Sequence, residues 1–221
     1  MTGVQTCALP ISHEIRTPLH NLRGSNSLAL NQSRSTAEYQ EVLASNIEEY
    51  ERLNRMAENL MFLARAEHGQ RPLQLQVLDL GEVGDGLCDY FEALAEDRQL
   101  QLDNQLSGPL VADQQLLQRA LGNLLANAVR HAQPGSTVRL LRRDDAEYCW
   151  TGVHNVGPAI DPRHIDKLFD RFYRVDPSRA QPGDSGGLGL AIVHSIMQLH
   201  GGQVRVVSDA SGTLFELGFS L

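Results

Sequence analysis

Between Glu38 and His68, apolar side chains recur at Leu43, Ile47, Tyr50, Leu53, Ala57, Leu60 and Ala64. Steps of three and four residues place them all on one side of an α-helix, the spacing of a coiled-coil seam or a bundle helix. A strand, with its period of two, would scatter them over both faces. An earlier stretch, Ser12 to Leu30, repeats the pattern with Ile15, Leu19, Leu22 and Leu30, and a short polar link, "NQSRST", separates the two. The pair predicts a helical hairpin. Two helices with one apolar stripe each bury those stripes poorly alone, so pairing with a second copy into a four-helix bundle is the natural solution and a homodimer is expected.

The "HGQRP" at 68–72 punctuates the chain, and behind it the texture changes to short strands mixed with helices. Strand-like runs are "LQLQVLDL", "QLQLDNQL", "GPLVAD", "STVRLLRR", "EYCWTGVHNV", "GQVRVVSD" and "GTLFELGFSL", several alternating in polarity as a sheet with one covered face requires. Helices fit at 81–96, 113–132, 161–169 and 188–199, with Asp113 and Asp161 as N-caps. The fold class is α+β: a hairpin domain over 12–69, then a sandwich domain over 70–221. Residues 1–11, which include "MTGVQTCALP", lack the periodicity of the helical stretch after them and read as a foreign leader, with Pro10 expected to stop the helix from extending backwards.

Composition narrows the function. The 221 residues are 42% hydrophobic, enough for a packed core. With 19 basic against 27 acidic residues the formal charge is −8, a field that repels phosphate backbones and anionic membranes. No nucleic-acid partner is expected, and any phosphate chemistry has to use a local site. Cys7, Cys88 and Cys149 match neither a zinc nor a disulfide pattern and read as free thiols in a reducing compartment. No run reaches the roughly 18 apolar residues of a membrane span, so the chain as given is expected to be soluble and, as a fragment with free thiols, cytoplasmic.

Three constellations carry chemistry. The segment "DQQLLQRALGNLLANAVRHA" sets Asn123, Asn127 and His131 four residues apart on one helix face, opposite Leu117, Leu121, Leu124, Leu125 and Ala128. Asparagine is a poor helix former, and its oxygens suit a hard cation such as Mg²⁺; a solvated polar face is the competing reading. Next, "HNVGPAIDP" breaks a strand, and "PGDSGGLGLAIVHSIMQLHGG" packs glycines directly before an apolar helix, where backbone N–H groups can approach a phosphate. The glycines form neither of the two common nucleotide fingerprints. Between them, "FDRFYRVDPSRAQPGDS" has the composition of a loop that closes over a bound nucleotide. Near the start, "ISHEIRTPLHNLRG" places a histidine beside a glutamate, one turn before Thr17 and Pro18.

Taken in order, "SHEIRTPL", "NLLANAVRH", "NVGPAI", "FDRFYR", "GGLGLAIV" and "GT" resemble the H, N, G1, F, G2 and G3 boxes of two-component sensor histidine kinases, across residues 12–221. "FDRFYRVDPSR" and the Asn form of the G1 box look most like the heavy-metal sensor branch. The resemblance implies a dimerisation and phosphotransfer hairpin followed by an ATP-binding sandwich of the GHKL (Bergerat) type. His13 would be the phosphoacceptor, Glu14 the acid paired with its ring, Thr17 the hydroxyl that places a water for phosphatase action, and Pro18 the helix bend. Asn127 would ligate Mg²⁺, with Asn123 nearby and Arg130 and His131 toward the nucleotide phosphates or ribose. Asn155 would read adenine, Gly157 would shape its loop, and Thr213 would support the adenine pocket. Gly187, Leu188 and Gly189 would frame the phosphate turn, and Arg174 would neutralise charge on it.

The implied activity is ATP-dependent autophosphorylation followed by transfer to an aspartate of a response-regulator receiver domain. A different ATPase of the same fold, or a non-catalytic dimerisation module, are the alternatives. The sensor region and linker that precede the histidine in such receptors are missing, so the parent is expected in a bacterial inner membrane, and the fragment is expected to dimerise weakly and phosphorylate itself slowly. The sequence also departs from the usual boxes. Ala159 replaces the second glycine of the G1 box, Ser185 the first glycine of the G2 box, and Asn155 stands where Asp is commoner. An amide both donates and accepts, so it rejects the O6 acceptor of guanine less strongly than a carboxylate does. GTP is therefore expected to displace an ATP analogue in a competition assay; no displacement at large excess refutes this.

Overall fold

The structure, a computed structural model, describes residues 4–67, 72–175 and 186–221, with side chains from Ile15 onward. The chain divides into two compact units, residues 1–62 with 171–188, and residues 63–170 with 189–221.

The first unit contains most of the hairpin, α1 (Val4–Asn31) and α2 (Thr36–Glu67). Helix α2 opens on a capping box. Ser35 Oγ accepts the Glu38 N–H at 3.3 Å while Glu38 Oε2 accepts the Ser35 N–H at 2.7 Å and its hydroxyl at 2.8 Å. That backbone N–H lowers the carboxyl pKa of Glu38. Across the turn, the Tyr39 hydroxyl lies 3.3 Å from the Ala29 carbonyl and 3.4 Å from that of Gln32, tying the two helix ends together. Leu22, Ala29 and Met56 are buried. Halfway along, Asn46 is hydrogen-bonded to Ser25 and Asn26 of α1.

Two expectations change here. The helix does not begin at Ser12; α1 runs from Val4 through both Pro10 and Pro18. A proline removes one backbone donor and bends the axis, which a 28-residue helix with its other bonds intact accommodates. Moreover, the stripe of Leu43, Ile47 and Tyr50 read from the sequence is not the one packed on α1. Ile47 is 58% exposed, as are Leu43 (60%) and Tyr50 (57%), whereas Asn46 and Met56 are buried. Apolar residues occupy two adjacent faces of α2, and a shift of one residue rotates the frame by about 100°.

The second unit holds all seven strand-like runs as strands: β1 (Leu75–Asp79), β2 (Gln101–Gln105), β3 (Pro109–Asp113), β4 (Thr137–Asp144), β5 (Tyr148–Asn155), β6 (Gln203–Asp209) and β7 (Gly212–Ser220). Five form a mixed sheet in the order β2-β4-β5-β7-β6, with β2 parallel to β4 and the other pairs antiparallel. Strands β1 and β3 make a separate antiparallel ribbon. The helices are α3 (Leu80–Asp97), α4 (Gln114–His131), the short α5 (Pro162–Ile165) and α6 (Gly189–Leu199). Leu116, Leu117, Leu121, Leu124 and Leu125 of α4, Ile192 and Ile196 of α6, and Val138, Leu140, Val153 and Leu217 of the sheet are all nearly inaccessible, forming the core between helices and sheet. The expected helix over 161–169 shortens to α5 followed by turns; Asp161 caps it through the Arg163 N–H, and the Arg163 guanidinium beside it draws the carboxyl pKa down to about 2.

Asp113 secures the start of α4. Its Oδ1 accepts the Leu116 N–H at 3.1 Å and its Oδ2 the Gln74 N–H at 3.0 Å, while its own N–H donates to His200 Nε2 at 3.1 Å. His200 Nδ1 lies 2.9 Å from the Ile196 carbonyl, which assigns the ring proton to Nδ1. With its side chain buried and accepting two backbone donors, Asp113→Ala is expected to lower stability by ~1–3 kcal/mol in urea denaturation, and Asp113→Asn by less, since an amide oxygen still caps.

Candidate nucleotide site and phosphoacceptor helix

Helix α4 places its candidate site residues by the same periodicity that buries its leucines. Asn123, Asn127 and Arg130 are half-buried and His131 is exposed. The Asn123 Nδ2 donates to the Arg119 carbonyl at 2.8 Å, so one of its two amide protons serves its own helix. No comparable bond within the helix engages Asn127 among the hydrogen bonds described.

The end of α4 meets the end of β5. Gln133 N–H donates to the Val156 carbonyl at 2.8 Å, and a side chain at Gly157 would place its Cβ 2.6 Å from the His131 carbonyl oxygen. Only glycine lets the strand pass that close to the helix terminus. The contact brings Asn155, buried at 4% exposure, beside the last turn of α4. Directly opposite Asn155 on β7 stands Thr213, also 4% exposed. The Thr213 hydroxyl lies 2.7 Å from Ser208 Oγ, which in turn accepts the Ile160 N–H at 2.9 Å. Thus Asn127, Arg130, His131, Asn155, Gly157 and Thr213 gather at one end of the second unit. Ser208 escapes sequence reasoning, because its place beside Thr213 follows from strand register and leaves no local mark. Ala159 is exposed, where a methyl group meets no obstacle from solvent.

The glycine turn is described from Gly186. Gly186 and Gly187 adopt left-handed φ values of 64° and 74°. The Gly187 carbonyl accepts the Phe172 N–H at 3.0 Å, and a Cβ at Gly187 would lie 2.9 Å from Phe172 Cα. Phe172 itself has φ 62°, a conformation costly for an aromatic residue and characteristic of functional loops. Arg174, two residues on, is half-buried. Leu188 is fully buried, and Gly189 opens α6, whose first-turn N–H groups have no partner within the helix. At the root of the arginine-rich segment, Phe169 packs against the His194 ring of α6 with centroids 5.9 Å apart and edge-on to Phe215 at 6.4 Å. Ser185 lies outside the described residues.

His13 and Glu14 belong to α1, with side chains outside those described. Thr17, one turn later, is exposed and lines a shallow open depression with Arg16, His20 and Asn21; Pro18 is buried. Among the described residues, no three His, Cys, Asp or Glu side chains gather to hold a metal, and no helix is long and apolar enough to cross a membrane. A cation at the α4 site would therefore rest on amide oxygens, a hard donor type.

Residues 10–69 match the His Kinase A (phospho-acceptor) domain, and residues 112–221 match the histidine kinase-, DNA gyrase B-, and HSP90-like ATPase domain. Sensor histidine kinase CusS of Escherichia coli (strain K12) is 44% identical over 210 residues, covering 93% of this chain and 43% of that protein. Sensor protein CzcS of Cupriavidus metallidurans is 43% identical over 212 residues, covering 96% of this chain and 44% of that protein. The chain thus spans less than half the length of these curated relatives. Among solved structures, the Acinetobacter baumannii histidine kinase AdeS superposes with a TM-score of 0.76 at 24% identity, covering 94% of this chain and 97% of that one. With both domain types present in order and a relative 44% identical over 93% of this chain, the chain carries the catalytic core of a sensor histidine kinase.

Proposed function

We propose that this chain is an ATP-dependent protein-histidine kinase that phosphorylates itself on His13 and passes the phosphoryl group to an aspartate on a response-regulator receiver domain. The observation that carries this reading is the gathering of Asn127, Arg130 and His131 beside the cross-strand pair Asn155 and Thr213, in a chain that also carries His13 on its first helix. One end of that cluster is buried and polar, suited to a purine edge, and the other is half-exposed and cationic, suited to phosphates.

In the reaction a ring nitrogen of His13 attacks the γ-phosphorus of ATP, the N–P bond forms as the bond to the β–γ bridging oxygen breaks, and ADP leaves. A histidine with an ordinary pKa near 6.5 is largely neutral and nucleophilic at pH 7, so orientation matters more than activation. Glu14 accepts the proton of the other ring nitrogen. Transfer of this kind depends on in-line placement and on neutralising charge. Asn127 would hold Mg²⁺ through its amide oxygen, and the cation would supply that neutralisation. Arg130, His131 and Arg174 orient the phosphates, and Asn155 and Thr213 hold the adenine. Gly187, Leu188 and Gly189 keep backbone donors close to the phosphate chain. Thr17, on the His13 face of α1, positions the water that removes the phosphoryl group from the receiver aspartate. The exposed Leu43, Ile47, Tyr50 and Met61 of α2 form the seam of a homodimer, since they supply the apolar face that a second hairpin covers.

Incubation with Mg²⁺ and γ-labelled ATP is expected to give an acid-labile, alkali-stable label on the chain and none on His13→Gln. A label stable to acid, or one that survives in His13→Gln, refutes the assignment. Asn127→Ala is expected to lower the labelling rate on the order of 100-fold at fixed Mg²⁺ and ATP, by removing the amide oxygen that would hold the cation; an unchanged rate places the cation elsewhere.

A further inference from the structure

The face of α2 that packs on α1 is not uniformly apolar. Asn46, at 6% exposure, sits on it between Val42 and Met56, and it makes two hydrogen bonds across the hairpin. Its Nδ2 donates to Asn26 Oδ1 at 2.7 Å, and its Oδ1 accepts the Ser25 hydroxyl at 3.1 Å. The same hydroxyl lies 3.1 Å from the Leu22 carbonyl, one turn back on α1.

One amide therefore grips two consecutive residues of α1, which point about 100° apart around the helix axis. Apolar side chains tolerate a rolling helix by repacking; paired directional hydrogen bonds do not. Sliding along the axis is already opposed by the short link between Asn31 and Thr36 and by the Tyr39 hydroxyl at the turn. What the turn leaves free is rotation, and that is what the amide restrains. A buried polar residue in a helical bundle characteristically trades stability for a unique setting.

We propose that Asn46 is a positioning residue that fixes the rotation of α1 about its own axis, and so the direction in which His13 faces. His13 lies on the same helix, N-terminal to Ser25, with Pro18 between them. The proposal rests on the reading of His13 as the phosphoacceptor.

The rotation can be read without any kinase activity. In a background with Cys7, Cys88 and Cys149 replaced by Ala, cysteine is introduced at Glu49 together with Asn21, Leu22 or Arg23, and intrachain disulfides are scored, after mild oxidation, as monomer whose two thiols no longer react with a maleimide-polyethylene glycol until reduced. With Asn46 present, only the Leu22 pair, one turn on from the Ser25–Asn46 bond, is expected to oxidise readily. With Asn46→Leu, the Asn21 or Arg23 pair is expected to oxidise as well. In parallel, Asn46→Leu is expected to keep or raise the Tm and leave the KM for ATP unchanged, while the labelling rate at saturating ATP falls on the order of tenfold from misorientation. Ser25→Ala with Asn26→Ala is expected to reproduce the fall, with no further loss when combined with Asn46→Leu. A single disulfide pair retained in Asn46→Leu, or an unchanged labelling rate, overturns the proposal. Should the parent chain fail to label at all, the kinase reading fails, and the disulfide pattern alone still decides whether Asn46 sets the rotation.

Discussion

The nucleotide domain depends on how α4 is gripped at its two ends. At the start, Asp113 joins the helix to the residue before β1, through the Gln74 N–H, and to the end of α6, through His200. At the finish, Gln133 and the bare backbone of Gly157 bind it to the end of β5. Between these anchors, five leucines fill the core with almost no accessible surface. A helix so held has no freedom to turn, and the polar face that it presents is therefore set by its buried face. Asn127 and Arg130 are functional candidates because Leu124 and Leu125 cannot move.

Much of this architecture is legible in the sequence. The strands show themselves by alternation and by flanking turn residues, and the α4 face by its four-residue spacing. Each is a local pattern with a local physical cause. The illegible features depend on contacts between distant residues or on competition between equal local signals. In α2 two apolar stripes lie side by side, and nothing within the helix says which one meets α1; the buried Asn46, which does meet it, looks like a solvated residue when read alone. The capping box at Ser35 and Glu38 is readable from its spacing, although the segment around it looks like a plain polar link. Pro10 has less power to end a helix than its missing donor suggests, because the turns on either side keep their own bonds. Ser208 acquires its meaning only from facing Thr213 across two strands.

The two units solve different problems. The hairpin is built from local contacts, with polar residues used sparingly to choose among packings that apolar residues would accept equally. The sandwich is built from long-range pairings around one closely packed core, and its polar residues are placed at the margins of that core, where strand ends and helix ends coincide. Phosphate chemistry in an acidic chain needs such a margin, because the overall field is unfavourable and only a local grouping of arginine, histidine and backbone donors can reverse it.

Asn155 and Thr213 face one another because β5 and β7 pair in a single register, and only two residues separate the end of β6 from the start of β7. The tight bend made by Ala210 and Ser211 thus acts as a ruler. Both residues face solvent, and what the bend asks of them is local: the Ser211 N–H and hydroxyl donate to Asp209 Oδ1 at 2.7 and 2.6 Å. The demand on its length is not local: one residue more or less, taken up as a slip of β7, would turn every later side chain of that strand to the opposite face of the sheet, taking Thr213 from its place opposite Asn155 and Phe215 and Leu217 from the core together. The bend therefore tolerates a change of spelling better than a change of count, and an insertion or deletion there disturbs the Asn155–Thr213 pair and the core in one stroke.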